Sequence, residues 1–112
     1  MERICFEFNI FAGTEVAYEE SHTNIWPEMA AAIIDSGYRN YSLFRRGTKI
    51  ICYGECIPTI AAAQKRMHDN YSELVARWNL SMEPFIEKMT DEHGNLFLHN
   101  LIWHLDVESL PQ

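Results

Sequence analysis

Arg3-Ile4-Cys5-Phe6-Glu7-Phe8-Asn9-Ile10 alternates polar and apolar side chains without a break. Successive side chains of a strand point to opposite faces. Ile4, Phe6, Phe8 and Ile10 therefore share one face, and Arg3, Cys5, Glu7 and Asn9 the other, as in a half-buried strand. After Gly13-Thr14 the period changes. Tyr18, His22, Ile25, Met29 and Ile33 follow at spacings of four, three, four and four, forming one stripe of a helix within residues 15–36. Pro27 interrupts that pattern, because a proline removes a backbone donor and crowds the preceding turn. The spacing predicts two short helices broken at about residues 23–26, with Thr14 capping the first and Pro27 starting the second.

Outward from this unit, Gly37 closes the second helix. Residues 39–46 and 49–57 read as strands joined by the turn Arg46-Gly47-Thr48. Pro58-Thr59 opens a helix to about Met67, and Asn70 with Glu73 forms a capping box for another that carries Leu74, Trp78 and Met82 and weakens at Pro84. Residues 90–95 read as a polar loop. Residues 96–106 read as a last strand with Leu101, Trp103 and Leu105 on one face, and Leu110-Pro111-Gln112 as a tail. The order strand, helices, strand, strand, helices, strand implies an α+β, ferredoxin-like domain: a four-stranded antiparallel sheet with helices on one face. The second sheet face would carry Cys5 and Ile102 with no cover from the chain, so a symmetric homodimer is expected.

The chain has 112 residues and 13.1 kDa, enough for one domain spanning residues 1–112. Hydrophobic residues are 47% and charged residues 22%, a globular balance. Acidic residues outnumber basic ones 16 to 9, giving −7, which argues against nucleic acid or an anionic membrane as partner. No apolar run approaches the ~18 residues of a membrane span, and the first residues lack a signal-peptide core. Cys5, Cys52 and Cys56 are an odd number without a disulfide framework, so a reduced cytoplasm is the expected compartment.

Tyr18 and His22, four apart on a helix, point the same way. They suit either a satisfied core pair or a hydroxyl and a general acid or base in a pocket, since histidine titrates nearest neutral pH. Trp26, Tyr41, Trp78 and Trp103 suit either a core or the flat apolar walls and single donors that a sugar ring needs. Cys52 and Cys56 share a strand face but stand ~13 Å apart at ~3.3 Å per residue, too far for a bridge or a shared metal. They read as buried free thiols. His68, His93, His99 and His104 show no metal spacing, so no metal site is expected, and Arg45-Arg46 reads as a solvated hairpin end. There is no glycine-rich phosphate loop and no nucleophile elbow.

The stretch Tyr18-Glu-Glu-Ser-His22-Thr-Asn-Ile-Trp26-Pro27-Glu28-Met29 resembles the L-rhamnose mutarotase family, which reads E-Y-x-x-x-H-x-x-I-W-P-E-L there. Gly37-Tyr-Arg-Asn40-Tyr41-Ser42-Leu43-Phe44 is similar to its G-x-x-N-Y-S-I-F. Arg77-Trp78 followed by Met82 resembles its R-W-W-x-x-M, and Trp103-His104-Leu105-Asp106 its F-H-L-D. These blocks run in order over nearly the whole chain. Asn79 stands where many members have a second tryptophan, and the loop after Met82 also differs.

The resemblance implies a ferredoxin-like domain that dimerises through its sheets, a dimeric α+β barrel. It implies interconversion of the α and β anomers of a monosaccharide, L-rhamnose, without a cofactor. His22 would be the proton donor, Tyr18 and Tyr41 would bind the sugar, Trp78 would pack against it, and Asn79 would border it. The base is open between Tyr41 and a water. Two other readings fit the same fold: a monooxygenase-like dimeric barrel enzyme, and a non-enzymatic small-ligand-binding module.

Overall fold

A computed structural model describes residues 1–109; the tail at 110–112 lies outside the described residues. The elements are β1 (Glu2–Ile10), α1 (Glu15–Thr23), α2 (Pro27–Ser36), β2 (Tyr38–Arg46), β3 (Lys49–Cys56), α3 (Ile60–Met82), β4 (Ile86–Lys88), β5 (Phe97–Leu98) and a 3₁₀ turn, Val107–Ser109. The sheet is antiparallel with order β2-β3-β1-β4, and β5 also pairs with β1. The three helices lie on one face, as a ferredoxin-like α+β fold requires. No described helix is long and apolar enough to cross a membrane.

The alternation in β1 becomes the core. Ile4, Phe6, Phe8 and Ile10 are buried with Ile50, Cys52 and Cys56 of β3, under Tyr18, Ala63 and Met82 from the helices. A smaller cluster of Met29, Ala32 and Leu74 joins α2 to α3. The break between α1 and α2 falls where Pro27 requires it, and Gly37 ends α2 in the left-handed conformation with φ +113°. A side chain there would run into the Ile57 carbonyl, so glycine serves both backbone and packing.

Several expectations need correction. Thr14 makes no side-chain cap on α1; its hydroxyl donates to the Phe11 carbonyl at 2.7 Å, and the Glu15 carboxylate accepts from the Gly13 N–H. The two helices expected around Asn70 follow one another directly as α3, with a non-helical break at Tyr71 (φ −134°, ψ 19°) where the sequence placed the boundary. The long last strand does not form. On that edge of β1, β4 pairs with Asn9 and Ile10 and β5 only with Phe6 and Glu7. The His99 N–H still donates to the Cys5 carbonyl at 2.7 Å, and residues 99–106 then leave the ladder. Ile102 and Trp103 are 94% and 73% exposed, and Leu101 and Leu105 are exposed beside them. Because residues 99–106 leave the ladder, Ile102 is not part of the sheet. The second sheet face is largely polar: Glu7 pairs with Lys49 at 2.7 Å and His99 at 3.2 Å, and Arg3 bonds His104 at 3.1 Å.

Candidate functional site

A cavity of about 650 Å³ opens between the helices and the inner sheet face. Tyr18, His22, Tyr41, Trp78 and Asn79 all line it, so the structure brings these five candidates to one space, while Trp26 and Trp103 do not line it. Its size falls within the ~300–1,000 Å³ of small-molecule sites.

α1 presents Tyr18 and His22 as i and i+4 neighbours, with ring centroids 4.6 Å apart. His22 Nδ1 lies 3.1 Å from the Tyr18 carbonyl and 3.0 Å from Ser21 Oγ. A carbonyl oxygen only accepts, so Nδ1 carries the hydrogen, and in the neutral ring Nε2 is the free acceptor. The Ser21 hydroxyl donates to the same carbonyl at 2.6 Å, which leaves its oxygen to accept from Nδ1. Burial holds the His22 pKa below the usual 6.5, and the Tyr18 carbonyl bond opposes that in part. The imidazole is thus neutral near pH 7.

Trp78 from α3 meets the His22 ring edge-on at 5.5 Å and the Trp26 ring at 5.1 Å. Trp26 supports this wall from behind, with the Arg77 guanidinium 5.9 Å from its centroid. Trp103 sits outside the cavity on the exposed C-terminal segment, so it leaves the set of candidate sugar-binding aromatics.

Tyr41 reaches the cavity through a bulge. Arg39 pairs with Glu55 and Ser42 with Tyr53, so Asn40 and Tyr41 together oppose Gly54. Asn40 takes φ +50°, a conformation asparagine tolerates, and its side-chain amide donates to Glu55 Oε1 at 2.8 Å. The extra residue lets Tyr38, Tyr41 and Leu43 all face inward; strict alternation would have turned Tyr41 outward. Burial first, then the Cys52 thiol beside it, push the Tyr41 phenol well above its usual range. Burial likewise raises Tyr18, lifts Tyr38 to about 12, and lifts the Cys52 thiol to about 11. All these phenols are neutral donors at physiological pH.

The three cysteines are free, Cys52 and Cys56 are buried, and Cys52 lines the cavity. Arg45 bonds Glu19 of α1 at 2.7 Å and so ties the hairpin to the helix rather than standing free. Sequence reasoning missed Ser21, whose only signal was its place beside His22, and Tyr38, which alternation places on the face opposite Tyr41 and only the bulge brings inward together with it.

A family model described as L-rhamnose mutarotase matches residues 3–105. The L-rhamnose mutarotase of Lachnoclostridium phytofermentans is 26% identical over 106 residues, which cover 95% of this chain and all of that protein. That of Flavobacterium johnsoniae is also 26% identical, over 93% of this chain and 95% of its own length. The Agrobacterium fabrum L-rhamnose mutarotase is 35% identical over 54 residues, and there the chain spans only half the relative's length. The crystal structure of the Formosa agariphila L-rhamnose mutarotase superposes with a TM-score of 0.74 at 19% identity, covering 95% of this chain and 100% of that one, which establishes the shared fold.

Proposed function

This chain belongs to the L-rhamnose mutarotase family, and from that premise we propose that it interconverts the α and β anomers of L-rhamnose or a related aldose. It would be an isomerase built as a single mutarotase-like domain. One observation carries the reading: Tyr18, His22, Tyr41, Trp78 and Asn79, scattered along the chain, share one cavity.

Changing anomer means opening the ring to the aldehyde and closing it on the other face. Neutral His22 takes the proton of the anomeric hydroxyl at Nε2 as the C1–O5 bond breaks, and O5 gains a proton. After rotation about C1–C2, O5 adds back to the carbonyl and loses its proton, and the imidazolium returns its own proton to O1. His22, expected from the sequence as the proton donor with the base left open, is thus base in the opening half and proton donor in the closing half, and no proton is gained or lost overall. Such a group supplies roughly 10²–10⁴-fold. Tyr41 is 41% exposed as a whole, but desolvation of its phenol and the Cys52 thiol beside it make phenolate formation costly, which supports a water held by the phenols as the proton carrier at O5. Tyr18 and Tyr41 hold hydroxyls, Trp78 packs on the C–H face of the ring, and Asn79 offers an amide at its margin. These steps require no cofactor.

The active form proposed is a homodimer in the cytoplasm. The exposed run of Leu101, Ile102, Trp103 and Leu105 supports a second copy as cover, and three unpaired thiols suit a reduced compartment.

Saturation-transfer NMR tests the activity. One anomeric proton of L-rhamnose is irradiated and loss of the other signal is followed. Fast transfer with protein and slow transfer without it is the expected result. No transfer with rhamnose, fucose or other aldoses, from protein shown to be folded, overturns the reading in favour of a binding module.

A further inference from the structure

The cavity is larger than the sugar proposed for it. Even at the ~30 Å³ taken by each heavy atom in liquid water, the roughly eleven heavy atoms of L-rhamnose need only about 330 Å³. The cavity holds about 650 Å³. Beyond the reacting groups, its wall continues along Ile33, Met67 and Val75, which belong to the packing of α2 on α3.

A second cavity of about 350 Å³ lies beside it, and Tyr38, Met67, Val75 and Asn79 line both. The remaining walls of the second are Gln64, His68, Ser72 and Ala76. These four stand at spacings of four along α3, two on each side of the break at Tyr71, and line the same space. Amide, imidazole and hydroxyl groups there line the space together with Tyr38 of β2 and with Met67 and Val75 of the same helix. A sugar ring needs this mixture of donors, acceptors and apolar surface. None of the lining residues is Asp, Glu, Lys or Arg, so a neutral occupant fits better than a uronic acid or a sugar phosphate.

Resting on the mutarotase reading, we propose that the site takes a reducing oligosaccharide. The aldose whose anomer is exchanged occupies the first cavity. The next unit, joined through a hydroxyl other than the anomeric one, passes Asn79 and lies along Gln64, His68 and Ser72. Asn79, which borders both spaces, then sets how far the ligand extends.

The test measures saturation transfer on L-rhamnose and on a reducing disaccharide with rhamnose at its reducing end. Wild-type protein is expected to accelerate exchange in both. Ala76→Trp places an indole in the second cavity. It is expected to keep rhamnose exchange within about twofold and to lose about tenfold or more on the disaccharide. Ser72→Trp blocks the same space one turn earlier and replaces Ala76→Trp if that variant does not fold. The inference is overturned if wild type exchanges rhamnose but not the disaccharide, or if a folded tryptophan variant treats the disaccharide as wild type does. If neither sugar exchanges, the mutarotase reading falls and this inference with it.

Discussion

Gly54 and Tyr41 meet across the β2–β3 hairpin: a Cβ added to Gly54 would stand 2.7 Å from Tyr41 Cδ1 and 3.2 Å from Cε1. The aromatic ring lies over the one β3 position that has no side chain. Gly54→Ala is therefore expected to push Tyr41 out of its place. Loss of one aromatic contact and one hydroxyl donor should weaken sugar affinity by about tenfold. The fold should hold, because alanine in a strand is favoured over glycine by ~0.5–1 kcal/mol. Calorimetry reads the affinity, and an unchanged value would remove Tyr41 from the site.

His22→Gln keeps a polar side chain in the cavity but cannot cycle a proton. Exchange is expected to fall by roughly 10²–10⁴-fold while near-UV circular dichroism stays native. Normal turnover by this variant would show that another group handles the anomeric proton.

The rate should depend on pH in one direction. His22 is held below its ordinary 6.5, so it is already neutral above that value, and activity should be level there. Activity should fall as pH drops through the lowered native pKa, because protonation removes the acceptor at Nε2. Stability follows the same sign. Between the native pKa and 6.5 the unfolded chain binds a proton that the folded chain does not, so stability rises with pH across that window. Titration of the His22 ring by NMR, with its midpoint at or above 6.5, would contradict both expectations.

Trp78→Ala should weaken sugar binding and lower the melting temperature together. Trp78 packs on both core clusters and also supports the His22 ring at 5.5 Å. Large-to-small core substitutions of Trp cost about 3–5 kcal/mol, and the half-buried position places this one toward the low end. Melting and calorimetry separate the two effects; a pure stability loss with native affinity would make Trp78 a core residue only.

Trp103→Glu addresses the assembly. The side chain is 73% exposed, so the change should cost a monomer little. It should split a dimer that buries this segment, which sedimentation velocity would show as a shift to the 13.1 kDa monomer. A wild-type chain that already sediments as a monomer would refute the proposed homodimer.

Much of this architecture was legible in the residues. The period-two run from Ile4 to Ile10 became the central buried strand, and the Tyr18–His22–Met29 stripe became the helix face over the sheet. Local punctuation at Pro27 and Gly37 was read correctly because backbone chemistry alone decides it. What escaped depends on partners distant in sequence. Residues 96–106 keep only Phe97 and Leu98 in the ladder on β1, an outcome that their apolar pattern does not signal. The inward turn of Tyr41 depends on Asn40 adopting φ +50°, which alternation cannot signal. The site residues were legible as types and spacings, but their meeting at one cavity, and the role of Ser21 in orienting His22, are tertiary facts.

The bulge at Asn40 also bears on how this hairpin tolerates changes in length. β2 holds one residue more than its partner needs. Deleting Asn40 would straighten the ladder yet leave Tyr41 and Leu43 inward and Ser42 outward. Inserting a residue at the same point would have to enlarge the bulge further or turn over the side chains on one side of it. Natural variants of this segment should therefore shorten by one residue far more readily than they lengthen.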